Sequence, residues 1–385
     1  MSNNTGMVAV RRIDTFVLRA PIEQPVRTSF GVMRDRPAVI LRLEDADGVC
    51  GWGEIWCNFP TCGAEHRGLL VDTVLAPLLL GRAIDTPEGV AAHLTQKTHI
   101  LRLQTREAGP LDQAIAGIDI ALWDLYARRC AEPLCRVLNP EAGETVPVYA
   151  SGINPEGACT MVKRCRDEGF RAFKVKIGFG DGRDLDTLAR VRDVMTAEEQ
   201  LMADANQAWD EPQALRIVER LEEHALKWLE EPMPVDTPIE HWRRLASSTS
   251  VPLAGGENFS TPAEFDEAVE NNVLQVVQPD ICKWGGISGC LPIARRALQA
   301  QRSYCPHYLG GGVGLIASAH CLAAAGGDGL LEVDANFNPL RTQLALPFPR
   351  LADGQLQLSQ QPGLGIEPDI SAIEQYTVLH RKRTE

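Results

Sequence analysis

The sequence predicts an α/β protein: an eight-stranded parallel barrel preceded by an α+β domain. Three observations carry this. From Val146 onward, short apolar runs alternate with helical patterns. Three of those runs end in an acid at near-constant spacing. Leu201-Met202-Ala203 leads into Asp204, Trp228-Leu229 into Glu230, and Val251–Gly256 into Glu257, at intervals of 26 and 27 residues. That is about one strand–helix unit, so each acid falls where a strand gives way to a loop. Before residue 140 the pattern is different, a meander followed by helices.

Taken in order, residues 8–20 and 37–45 alternate as strands, and Asp45-Ala46-Asp47-Gly48 turns the chain into a third, Val49–Glu54. The polar loop 23–36 and the segment 55–67, rich in Cys, Asn, His and Trp, are long enough to carry function. Helices follow over 64–138, clearest at Leu111–Arg128; Asp119 and Asp124 within it read as helix-face acids pairing locally. Strands are then expected at 146–150, 171–176, 200–204, 226–230, 251–255, 274–279, 302–306 and 329–333, with seven helices between them. Closure into a barrel is the economical solution. A doubly wound open sheet is the alternative, disfavoured because no Gly-x-Gly-x-x-Gly opens a helix. Gly310-Gly311-Gly312-x-Gly314 precedes a helix and offers a cradle for an anion. The tail from Phe348 is rich in Pro and Gly, and its basic end, Arg381-Lys382-Arg383, reads as a solvated terminus. The expected division is 1–140, 141–347, and a segment 348–385 that packs back on the first domain.

Composition sets limits. The chain has 385 residues and a net charge of −13, which argues against nucleic-acid or anionic-membrane partners. No apolar run is long enough for a membrane span, and the start lacks a signal-peptide core. The 11 cysteines include no Cys-x-x-Cys pair, so most are expected to be buried small hydrophobes in a reducing cytoplasm.

Polar residues recur at seven successive strand ends: Lys176, Asp204, Glu230, Glu257, Asp280, His307 and Glu332, at intervals of 28, 26, 27, 23, 27 and 25. Any one acid alone is better read as a solvated loop residue; the shared register reverses that. Three converging carboxylates need a cation between them, and all-oxygen ligation suits Mg²⁺ before Mn²⁺. Lys174 and Lys176 share a strand face, and their mutual repulsion is expected to depress a pKa and make a base. Asn206, two residues after Asp204, points to the metal shell or the substrate. Asp280 beside His307 sets the imidazole's tautomer. Glu332, held protonated, would stabilise an oxyanion.

The stretches FKVKIG (173–178), ADANQAW (203–209), WLEEP (228–232), GGEN (255–258), QPDICKWGG (278–286), CPH (305–307) and LLEVD (330–334) resemble the enolase superfamily, in its mandelate racemase branch. The resemblance spans almost the whole chain. It implies a (β/α)₇β TIM-type barrel under an N-terminal α+β capping domain, with Mg²⁺ held by Asp204, Glu230 and Glu257. Glu230 rather than Glu231 is implied as the ligand. The muconate-lactonizing branch carries a lysine where Asp280 stands, so the Asp280–His307 dyad fits the racemase branch. Lys176 is then one base, His307 the opposite acid/base and Glu332 the electrophile. The resemblance also implies a small carboxylate substrate and a homo-oligomer.

For this residue set the resemblance implies dehydration of an acid sugar to a 2-keto-3-deoxy acid. Racemisation or epimerisation of a 2-hydroxy acid uses the same bases. Arg27, Thr28, Arg34, Asn58 and His66 in the capping loops are candidates to contact hydroxyls or a distal acid, while Phe30, Trp56 and Phe59 suit an aryl group. A Schiff-base aldolase using Lys176 is disfavoured by the three-acid site, and a non-catalytic binding protein by the complete set of bases.

Overall fold

The computed structural model describes residues 8–27 and 31–385; Thr28, Phe30 and the side chain of Arg27 lie outside what is described. The capping part is an antiparallel sheet of β1 (Val8–Arg27), β2 (Val32–Asp45) and β3 (Cys50–Ile55), with the C-terminal strand Thr377–Thr384 added beside β1. The basic run expected to be a solvated terminus is therefore an edge strand. Its side chains face water, and Arg383 pairs with Asp72 at 2.7 Å.

Both faces of this sheet are covered, which explains why β1 and β2 lack a clean polar side. Phe16, Leu18, Ala20, Ala38 and Ile40 point into the large core shared with the barrel. Val17, Val39, Leu41 and Leu43 point into a second core with the capping helices. Helix Ala108–Cys130 lies between the two cores: Ile120 and Trp123 serve one, Ile115, Ile118 and Leu122 the other. Its close seat on β3 requires glycine, since a Cβ on Gly53 would come within 2.1 Å of the Gly117 carbonyl.

The barrel strands are Thr145–Ile153, Ala172–Lys176, Gln200–Asp204, Leu229–Glu230, Leu253–Gly255, Val276–Val277, Ser303–Tyr304 and Leu331–Asp334. All pair in parallel, and the eighth pairs with the first, a ring that an open doubly wound sheet does not form. The seventh and eighth strands meet where Leu330 N donates to Cys305 Sγ at 3.3 Å. Several strands are shorter than expected, although backbone bonds such as Lys227 N to Leu201 O and Cys305 N to Val277 O extend the pairing.

Period-2 strand geometry builds the floor of the site. Tyr149, Ala172, Met202, Trp228, Ala254, Val276, Cys305 and Leu330 form an apolar plug inside the ring. Two residues further along these strands stand Ser151, Lys174, Asp204, Glu230, Gln278, His307 and Glu332, all buried. The interior thus changes from apolar to charged in one step.

Candidate active site

Asp204 and Glu230 are register partners on neighbouring strands, and both are about 1% exposed. Lys176 Nζ donates to Asp204 Oδ2 at 2.6 Å and to Asn206 Oδ1 at 2.7 Å. Lys174 Nζ bonds Glu230 and lies 2.8 Å from Glu332 Oε1. Glu230 also accepts from Trp228 Nε1 at 3.2 Å and from Gln278 Nε2 at 2.7 Å. Glu257 faces His307 Nε2 at 2.7 Å and Lys283 Nζ at 3.3 Å. His307 Nδ1 meets Asp280 Oδ2 at 2.7 Å, while Asp280 Oδ1 accepts from Cys282 N.

The seven strand-end residues therefore gather into one network, joined by Ser151, Gln278, Asn258 and Lys283, none of which the sequence assigned to the site. Ser151 and Gln278 are two residues beyond plug residues, a signal the sequence carried. Lys283 Nζ lies 4.9 Å from the Trp56 ring centroid and bonds Asn258 Oδ1 at 2.7 Å. No such pattern announces it.

The electrostatics correct two expectations. Burial lowers the pKa of Lys174, but Glu230 and Glu332 outweigh it and carry it well above its ordinary value. Burial likewise lowers Lys176, and Asp204 more than compensates. The lysines face acids more closely than each other, so neither pKa is depressed. Glu332 was expected to be protonated. Burial raises its pKa, yet Lys174 and His307 bring it below the usual carboxylate value, so it is an ionised acceptor held by Ser151 Oγ and by Tyr308 N at 2.9 Å.

A cavity of about 260 Å³ opens over this network. Lys176, Asn206, Glu257, Lys283 and His307 line its floor, and Val26, Met33, Trp56, Phe59 and Leu309 line much of the rest. Asn58 also lines it, but its amide already donates to Leu309 O at 2.7 Å. Of the other polar loop residues, His66 pairs with Glu107 at 3.2 Å and Arg34 is exposed; neither lines the cavity. Among the described residues, the cap side of the cavity is more apolar than the polar loop sequence suggested.

Among the described residues, no three His, Cys, Asp or Glu side chains stand close enough together to hold a metal ion as they are. Asp204, Glu230 and Glu257 instead bond lysine and histidine. Their donor chemistry nonetheless fits a hard cation: three carboxylates within Coulombic reach, all oxygen, two of them buried and Glu257 half-buried at the cavity. Burial, and then the charges of Asp204, Glu332 and Glu257, push Glu230 up to about 7 despite Lys174. Glu231 is placed differently. It accepts from Asn258 Nδ2 at 2.8 Å and borders a separate small cavity with Met233, Trp242 and Phe259.

Fold and site together define a barrel enzyme of the enolase class. Residues 159–372 match the family described as "Enolase C-terminal domain-like". Residues 12–138 match "Mandelate racemase / muconate lactonizing enzyme, N-terminal domain". The chain belongs to the mandelate racemase/muconate lactonizing enzyme family of the enolase superfamily. A crystal structure of a mandelate racemase/muconate lactonizing enzyme from Bordetella bronchiseptica RB50 is 50% identical, with TM-score 0.90, over 96% of this chain and 99% of that one. A racemase from Streptomyces coelicolor A3(2), solved with bound magnesium, is 27% identical, with TM-score 0.86, over 96% and 100%. The L-talarate/galactarate dehydratase of Salmonella typhimurium is 32% identical over 67% of this chain and 64% of its own length. Relatives include acid-sugar dehydratases, cycloisomerases and racemases. Among the described residues, no helix is long and apolar enough to cross a membrane.

Proposed function

We propose that this enzyme removes the proton α to a substrate carboxylate and dehydrates an acid sugar to a 2-keto-3-deoxy acid. The observation that carries the reading is the meeting of Lys176 and His307, from the second and seventh barrel strands, at one cavity above buried acids. Asp204, Glu230 and Glu257 are the residues that would hold Mg²⁺. When bound, the cation would stabilise the negative charge developing on the substrate carboxylate and neutralise these acids in place of lysine and histidine.

Lys176 Nζ and His307 Nε2 are the proton carriers at the cavity. In dehydration one of them takes the α proton, and the pair of electrons left behind expels the β-hydroxyl. His307 Nε2 delivers the proton that makes water of the departing group, and the enol tautomerises to the ketone. Asp280 at Nδ1 keeps the imidazole oriented for this transfer. Asn206 orients Lys176, and Lys283 and Asn258 provide polar contacts for hydroxyls. The role of Arg27 in gripping a distal acid stays part of this proposal.

The apolar rim of Val26, Met33, Trp56 and Phe59 favours a second reading, racemisation or epimerisation of a 2-hydroxy acid with an apolar tail. A panel of mono- and diacid sugars and aryl 2-hydroxy acids, incubated with Mg²⁺ in D₂O, separates the two. Keto products mean dehydration; α-deuteration with inversion means racemisation. Neither product nor deuterium uptake across the panel would overturn both.

A further inference from the structure

The glycine run Gly310–Gly314 is indeed an anion cradle, but the anion is the protein's own. The N–H groups of Gly311 and Gly314 donate to the two carboxylate oxygens of Glu54, the latter at 2.9 Å. Glu54 stands on β3 of the capping sheet and is 2% exposed. The cradle is full: a Cβ on Gly311 would lie 2.8 Å from Glu54 Oε1, and one on Gly314 would lie 2.5 Å from the Tyr308 ring. Burial lifts the Glu54 pKa to about 6, and the Gly314 and Gly311 N–H groups oppose that rise.

A buried carboxylate on a helix N-terminus is by itself a structural cap. What surrounds this one points further. From Glu54 the chain continues past β3, and every second residue reaches a loop bearing the Asp280–His307 dyad. Trp56 N donates to Cys282 O at 3.1 Å, two residues after Asp280. Asn58 Nδ2 donates to Leu309 O at 2.7 Å, two residues after His307. Tyr308, next to His307, gives its hydroxyl to Gly311 O at 2.7 Å, inside the Glu54 cradle. The segment 54–58 is a rail along which the capping part holds both loops.

We propose that Glu54, aided by Trp56 and Asn58, is a positioning residue for the imidazole of His307: its carboxylate, locked into the glycine cradle, sets where the dyad sits. The proposal rests on the reading of His307 as an acid/base, but its test needs no substrate. In full-length protein labelled with ¹⁵N-histidine, the Nδ1–H proton that His307 donates to Asp280 is identified by its absence in His307→Asn.

Glu54→Gln leaves one N–H facing an amide and removes the charge. The expected result is an unchanged far-UV spectrum and loss or displacement of that Nδ1–H resonance. Amide exchange of Gly311 and Gly314 should become about tenfold faster, as for one lost hydrogen bond. With any substrate that the Mg²⁺ panel yields, kcat should fall about 100-fold, the scale of a 1 Å misplacement, with KM little changed.

Asn58→Ala, a milder change, should move the same resonance in the same direction, and it decides the matter if Glu54→Gln does not fold. A resonance unmoved in the folded variants, with only the melting temperature lowered, would make Glu54 a plain helix cap and overturn the proposal. A moved resonance without turnover of any panel member would leave the positioning intact and reject the catalytic reading instead.

Discussion

The two sides of the cavity are held by different means. On the lysine side the barrel holds itself. Asn206 N donates to Asp204 Oδ1 at 2.8 Å, Gln207 N to Glu231 O at 2.7 Å, and Gly178 N to Asp184 Oδ2 at 2.9 Å, all between neighbouring strand ends or within one loop. On the histidine side the capping part takes hold. Glu54, Trp56 and Asn58 bond the loops after Asp280 and His307. Asp119 adds to this by accepting from Ser288 N, at 3.0 Å, and Oγ at the start of the next helix. Arg36 of β2 pairs with Asp334 at 2.7 Å, at the end of the eighth strand. Lys176 is thus held by barrel residues, while the loops on either side of His307 are also held by the junction between cap and barrel. A disturbance of the junction should reach His307 and spare Lys176.

The acids should show the most severe loss. Glu230→Gln deletes a charge from the proposed cation site and leaves Lys174 short of a partner. Mg²⁺ binding measured by calorimetry should weaken sharply, and turnover should drop by about 10³-fold or more. Exhaustive chelation of the unaltered enzyme should do the same, reversibly. Full activity after chelation would remove the basis of the proposed chemistry.

His307→Asn sharpens the contrast between the sides. Dehydration should fall about 10²–10⁴-fold, the usual worth of a general acid, while α-proton exchange by Lys176 in D₂O persists. Equal loss of both would show that the two groups do not act independently. Lys176→Ala is the mirror test: exchange should be lost on the lysine side, and a variant with full exchange and turnover would dismiss that lysine as a base.

The smallest effect is on stability, at Asp119. Burial holds its carboxyl up at about 7, against 3.8 for a free one. Between those values the folded chain keeps a proton that the unfolded chain has lost, so raising the pH through this window costs stability. Asn cannot titrate but can keep the contacts to Ser288. Asp119→Asn should therefore gain on the native protein as pH rises from 5 to 8, by on the order of 2–3 kcal/mol in urea unfolding. A pH-independent difference would show that this carboxyl does not titrate in the window.

The barrel and its strand-end register were legible because both arise from periodicity along a single stretch of chain. Glu54, Asp119 and Asp124 were not. Asp119 and Asp124 looked like helix-face acids pairing nearby, and Asp124 does bond Arg128 one turn on. Yet both are buried, and Asp124 also accepts from Trp52 N at 2.8 Å and Leu364 N at 2.7 Å. Helical spacing says nothing about what packs on a face once another part of the chain covers it. The lysine pKa directions failed for a related reason. Sequence shows two lysines on one strand face but not the acids that neighbouring strands bring closer.

By itself the sequence determined where seven of the barrel strands give way to a charged or titratable residue, since backbone geometry repeats every two residues in a strand and every unit in the barrel. The tertiary structure decided which charges neutralise which, and that a glutamate from the cap would fill the glycine cradle beside His307. Charge pairing depends on distance through space, and Glu54 lies 257 residues from Gly311 along the chain. No local pattern encodes a contact that only the docking of cap on barrel creates.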